Sequence, residues 1–255
     1  MQTIGIKVRN IEIGTGIPKI CVPIVARTRE DILEMLNSVL AKKPDCIELR
    51  IDWFEEVMEW DKVQELLREI RERIGNTVLL FTFRTGNEGG EKDISGEDYK
   101  VLCENACRSG YIDMVDVEAF KEEGLLAAIC ETAHANGVYV VASNHDFGKT
   151  PAEADLVERL QFMEQAGADI PKIAVMPQNT RDVITLLSAT LRYRENGGEK
   201  PVITMSMGGV GAISRLSSEI FGSAVTFAAV GKTSAPGQIT IEEVRQTMDI
   251  LHRNQ

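Results

Sequence analysis

Short runs of β-branched and other apolar residues recur along the chain, each followed by a longer stretch whose apolar positions return every three or four residues. The runs fall at residues 20–25, 46–51, 78–83, 114–118, 138–143, 170–175, 202–207 and 223–228, and they predict eight strands. Amphipathic stretches such as 31–41, 63–74, 156–166 and 183–194 predict intervening helices, and a last one, 241–251, follows the eighth run. Eight βα units in 255 residues predict an α/β protein closed as a (β/α)8 TIM barrel, one domain over residues 1–255. An open doubly wound sheet fits less well, because no GxGxxG fingerprint follows the first run. Ahead of the first unit, residues 4–8 and 11–13 flank Arg9-Asn10 and predict a β-hairpin that caps the barrel bottom. No Ser/Gly linker, charge block or low-complexity tract divides the chain.

Composition narrows the picture. Hydrophobic residues at 44% and charged residues at 26% supply a sizeable core and exclude disorder. With 28 Lys and Arg against 39 Asp and Glu, the net charge of -11 argues against a nucleic-acid partner. An anionic metabolite is not excluded, because clustered arginines in a cleft outweigh a diffuse, screened surface charge. The first ten residues, MQTIGIKVRN, lack the apolar core of a signal peptide, and no run reaches the roughly 18 apolar residues of a membrane span. A soluble cytoplasmic protein without a membrane partner is the expectation. Five cysteines, scattered and odd in number, read as reduced core thiols. Cys103 and Cys107 share a helix face, but no further Cys or His completes a zinc set, so no metal is expected.

In a parallel barrel the reactive face lies at the C-terminal ends of the strands. Glu48-Leu49-Arg50 closes the second strand, and alternation aims both charges inward, as a structural ion pair or as site residues. The third strand ends in Arg84, and the glycine-bearing loop after it carries Glu88. Of three histidines, His134 near a helix end and His252 in the tail read as solvated or capping residues. His145 falls at the end of the fifth strand, where it is either a hydrogen-bonded loop residue or a proton-transfer group. Lys172 stands alone in the apolar sixth strand. Desolvation there favours the neutral amine a nucleophile needs, the alternative being a lysine that snorkels to solvent.

After the seventh strand, Gly208-Gly209-Val210-Gly211 precedes a helix start bearing Arg215. Backbone amides and the guanidinium there suit a carboxylate or a phosphate. The segment 231–238, with Ser234 and Gln238, reads as a mobile lid or an ordinary surface loop.

Glu48-Leu49-Arg50, Phe81-Thr82-Phe83-Arg84, Glu88-Gly89-Gly90-Glu91, Ser143-Asn144-His145-Asp146-Phe147, Pro171-Lys172-Ile173-Ala174-Val175-Met176-Pro177, Ile213-Ser214-Arg215 and Ser234-Ala235-Pro236-Gly237-Gln238 together resemble the type I 3-dehydroquinate dehydratase family over nearly the whole chain. The resemblance implies a (β/α)8 barrel lyase of the shikimate pathway, commonly a homodimer, with no metal or organic cofactor. It implies a Schiff base between Lys172 and the C3 ketone of 3-dehydroquinate, proton transfer by His145, and Glu88 orienting that histidine. It further implies that Arg215, Ser234 and Gln238 hold the substrate carboxylate side, that Glu48, Arg50 and Arg84 surround the C4 and C5 hydroxyls, and that Met205 and Phe227 form apolar walls. Gly208 and Pro23 depart from the serines found in many or some relatives. Two rival readings are a class I aldolase acting on a phosphorylated sugar and a catalytically silent metabolite-binding barrel. The aldolase requires phosphate, whereas the silent barrel has no use for a nucleophile, a base and an orienting carboxylate together.

Overall fold

The computed structural model describes residues 4–231 and 235–255. It opens with an antiparallel hairpin, β1 (Ile6–Val8) and β2 (Ile11–Ile13), in which Val8 pairs with Ile11 across a turn where Arg9 takes φ 51°. Eight parallel strands follow: β3 (Lys19–Ile24), β4 (Cys46–Arg50), β5 (Val78–Thr82), β6 (Met114–Glu118), β7 (Tyr139–Asp146), β8 (Ile170–Val175), β9 (Ile203–Ser206) and β10 (Val225–Phe227). They hydrogen-bond in the order β10-β3-β4-β5-β6-β7-β8-β9. The remaining seam, between β9 and β10, is closed only at its lower end, by the Val202–Ser223 bridge and an Ala224 N–H that donates to the Val202 carbonyl at 2.7 Å. The result is the nearly closed barrel that the sequence predicts.

Helices α1 (Arg29–Leu40), α2 (Trp60–Ile74), α3 (Gly96–Arg108), α4 (Leu125–Ala135), α5 (Glu153–Gln165), α6 (Thr180–Glu195), the short α7 (Ala212–Leu216) and α8 (Ser218–Phe221), and α9 (Ile241–His252) wrap the outside. Helices α1, α2, α5 and α6 begin two or three residues before the starts predicted at 31, 63, 156 and 183, because their first turns are largely polar or charged. Acidic residues there complement the helix dipole. Side-chain caps fix several starts: Thr28, Ser95 and Asn179 accept first-turn amides, and Thr240 with Glu243 forms a reciprocal capping box.

Strand alternation sorts the core into two layers. Outward residues such as Ile47, Leu49, Phe81, Val115, Val140 and Ile173 pack against the helices. Inward residues Cys21, Cys46, Val78, Leu80, Met114, Val141, Ile170, Ile203 and Val225 fill the lower barrel, and Val8 and Ile13 of the hairpin join them, so the hairpin plugs the bottom. An aspartate just before three of the strands repeats one contact: Asp45, Asp113 and Asp169 accept the amides of Ile20, Leu79 and Val140, each at 2.8 Å. Asp113 also receives Arg9 from the hairpin at 2.5 Å and Arg71 from α2 at 2.6 Å. All five cysteines are free and buried. His134 and His252 are not caps: each ring meets a carboxylate, Asp169 at 2.8 Å and Glu219 at 2.7 Å.

Candidate active site

Above the apolar filling, the inward positions turn polar. Glu48 and Arg50 on β4, Thr82 and Arg84 at the end of β5, Asp116 and Glu118 on β6, Ser143 and His145 on β7 and Lys172 on β8 all follow the inward alternation. They converge beneath a recess at the C-terminal mouth whose free space, its side open to solvent included, is about 470 Å³. Its walls include every site residue expected from sequence except Ser234, which lies outside the described residues.

Lys172 is 3% exposed and is not alone. Its Nζ donates to Asp116 Oδ2 at 3.0 Å, lies 3.9 Å from Glu48 Oε1, and stands 4.8 Å from the centroid of the Phe227 ring. The strand's own sequence gives no sign of this carboxylate company, and the buried side chain does not snorkel to solvent. Asp116 is fully buried. Burial on its own would raise its pKa, but the Arg84 guanidinium and Lys172 override it, and Asp116 is held at about 2. Ser143 Oγ donates to the same carboxylate at 2.6 Å, and Arg84 Nη2 at 2.6 Å.

Glu48 and Arg50 do not pair with each other. Arg50 grips Asp52 through two bonds of 2.8 Å, while Glu48 accepts the Thr82 hydroxyl at 3.0 Å. Asp52 also accepts the amides of Arg84 and Glu91, fastening Arg50 to the following loop. Arg84 directs its donors to Asp116, Glu118 and Ser143 and so organises the cavity floor.

The loop after β5 returns Glu88 to the fifth strand. Gly90 permits this: a Cβ there would stand 1.8 Å from the Arg84 carbonyl oxygen. Glu88 Oε2 receives the His145 backbone amide at 3.0 Å and meets the ring Nδ1 at 2.9 Å. Burial raises Glu88 to about 7 against the pull of Arg84, with Glu118 adding to the rise. Burial, then Arg84, Lys172 and Arg50, push His145 well below its ordinary 6.5. The imidazole is therefore neutral near pH 7. With Nδ1–H donated to Glu88, Nε2 keeps its lone pair, the arrangement of a general base. Because β7 runs on to Asp146, His145 is a strand residue and not part of the loop after it.

Arg215 is 1% exposed and has no carboxylate partner among the described residues. It touches Met205 Sδ and the Pro236 carbonyl oxygen, each at 3.4 Å, and its buried Nε is unbonded. Burial lowers its pKa to about 10. A buried cation without an anion is a receptor for one. The neighbouring glycine turn contributes less than expected, since the amides of Gly208, Gly211, Ala212 and Ser214 already donate to carbonyls. One of those carbonyls belongs to Pro236, after β10, and Gly237 sits so close that a Cβ would be 2.3 Å from the Gly208 oxygen.

Asp116, Glu118 and Asp52 escaped the sequence reading. The signal was available for the first two, since Met114-Val115-Asp116-Val117-Glu118 alternates just as Cys46-Ile47-Glu48-Leu49-Arg50 does.

Residues 20–255 match the family model described as type I 3-dehydroquinase. The chain belongs to that family. It is 50% identical over 246 residues to a 3-dehydroquinate dehydratase of Listeria monocytogenes, covering 96% of this chain and 97% of that protein. A 3-dehydroquinate dehydratase of Klebsiella pneumoniae is 47% identical over 250 residues, covering 98% and 100%. The crystal structure of the type I 3-dehydroquinate dehydratase of Clostridium difficile, with covalently modified comenic acid, superposes with a TM-score of 0.96 at 45% identity over the whole of both chains. The barrel and the hairpin described above are thus shared with that structure over its whole length.

Proposed function

We propose that Lys172 forms the Schiff base and His145 moves the protons in the family's reaction, the dehydration of 3-dehydroquinate to 3-dehydroshikimate in the shikimate pathway. One observation carries the assignment: Lys172 is the one lysine among the described residues lining the cavity, and it shares that cavity with the His145–Glu88 pair.

The Lys172 amine adds to the C3 ketone, and the carbinolamine loses water to give an iminium. Asp116 at 3.0 Å and the Phe227 ring face lie against this new cation. The iminium withdraws electrons from C2, whose proton passes to His145 Nε2 and leaves an enamine. His145 then returns a proton to the C1 hydroxyl, which departs as water as the C1–C2 double bond forms. Hydrolysis of the conjugated iminium frees product and lysine. Glu88 holds the ring through Nδ1 and stabilises the imidazolium between the two transfers.

Arg215, with Gln238 and Ser234, receives the substrate carboxylate; Glu48, Arg50 and Arg84 face the C4 and C5 hydroxyls; Met205 and Phe227 keep water from the imine. We treat residues 1–255 as one barrel domain, supported by the hairpin packing into the same core layer as the strands. A cytoplasmic location is supported by the five free thiols, and no helix among the described residues is long and apolar enough to cross a membrane. The homodimer implied by the resemblance is tested by light scattering.

The roles are tested by following the ultraviolet absorbance of the conjugated product. Lys172→Met and His145→Ala should each lose nearly all turnover while remaining folded, and wild-type rates in either would refute the assignment.

A further inference from the structure

Helix α5 carries one arginine, Arg159, among the acids Glu153, Asp155, Glu158 and Glu164, yet it pairs with none of them. Its Nη1 donates instead to the side-chain oxygen of Asn144 on β7, at 2.8 Å. The amide nitrogen of Asn144 then donates to Glu88 Oε1 at 3.2 Å, while Glu88 Oε2 holds the backbone amide and Nδ1 of His145. Arginine only donates hydrogen bonds and an ionised carboxylate only accepts them. An amide placed between the two has one permitted orientation, oxygen to the arginine and nitrogen to the carboxylate.

We propose that Arg159, half-buried behind the barrel wall, is a positioning residue for the proton-transfer pair: it locks the Asn144 amide so that Glu88 is presented to His145 in its ionised form. The proposal rests on the assignment of His145 as base and Glu88 as its partner. A protonated Glu88 Oε1 would set its own hydrogen against the Asn144 amide hydrogens, so the locked amide selects the carboxylate.

Other groups bear on the same equilibrium. Arg84 at the end of β5 favours the ionised form from 3.5 Å, whereas burial, Glu118 and Asp116 on β6 oppose it. Across the cavity Arg84, Lys172 and Arg50 face His145. Removing the Arg159 lock frees the amide to rotate, weakens one donor to Glu88 and tips the balance toward the carboxylic acid.

The test compares kcat/KM across the neutral pH range for wild type, Arg159→Met, Arg159→Lys, Glu88→Gln and the double variant R159M/E88Q, with thermal unfolding as the folding control. Loss of one hydrogen bond predicts an acidic limb moved up by about half to one pH unit in R159M. At alkaline pH its kcat should return toward wild type with KM unchanged, and R159K, which keeps a donor, should restore most of the shift. In the E88Q background R159M should add no shift. Arg159→Leu serves as a second removal of the donor should the Met variant fold poorly. A wild-type limb in R159M and R159L, with a limb altered by E88Q, would overturn the role of Arg159. An E88Q profile identical to wild type would overturn the Glu88 assignment itself, and the inference would fall with it.

Discussion

Asp116 Oδ2 and Lys172 Nζ stand 3.0 Å apart across the barrel interior, joined over the intervening strand β7 by two side chains that share the inward register. This pair gives the nucleophile a fixed position and places an anion against the iminium. The contact has consequences for stability as well as rate.

Asp116→Asn should lower kcat by roughly 10²-fold or more, because the cationic intermediate loses its nearest anion. It should also destabilise the fold by about 3 kcal/mol, since Arg84 and Lys172 stay buried with less charge to meet them. The pH dependence has a definite sign. Asp116 is held at about 2 against an ordinary 3.8, so its ionised form stabilises the fold fully above about pH 4 and loses that contribution as pH falls toward 2. Urea denaturation of both proteins across that window measures the difference, and equal stabilities would contradict it.

The acidic limb of kcat/KM should lie near pH 7, where Glu88 protonates, because His145 is already neutral there. Glu88→Gln should lower the rate by about 10- to 100-fold and move the limb to lower pH, toward the depressed titration of the imidazole. A pH–rate series checks both, and a limb near pH 7 that survives E88Q would assign it to another group.

Arg215→Met should separate binding from stability. KM should rise by about 10²-fold or more through loss of the carboxylate receptor, while the unliganded protein should stay within about 1 kcal/mol of wild type or gain stability, because an uncompensated buried charge has gone. Thermal unfolding with and without substrate reads both effects. The ligand-induced rise in Tm should vanish in the variant.

Asp113→Asn, at the opposite end of the barrel, should behave in reverse. It loses charge toward Arg9 and Arg71 at once, which should reduce stability by about 3–5 kcal/mol. The kcat and KM of the folded fraction should be unchanged, as measured below the unfolding transition.

The architecture was legible because strand alternation and helical spacing are local signals. The eight strands, the hairpin and the inward aim of Glu48 and Arg50 follow from them, whereas the choice for Lys172 between the barrel interior and solvent needed the structure. Pairings between distant elements were not legible. That Arg50 bonds Asp52 rather than Glu48, and that Asp116 sits beside Lys172, depends on rotamers and on register across neighbouring strands. The glycine turn after β9 looked like an anion cradle because sequence shows the glycines but not the carbonyls that already occupy the amides of Gly208 and Gly211. Arg159 gave no signal at all, since an arginine on an acidic amphipathic helix reads as surface charge until the strand behind it is placed.

The central claim is the imine on Lys172, and mass spectrometry of the protein treated with 3-dehydroquinate and borohydride tests it most directly. A reduced adduct confined to the peptide bearing Lys172, absent from Lys172→Ala, is the predicted result. An adduct on another lysine, or undiminished product formation by Lys172→Ala, would contradict it.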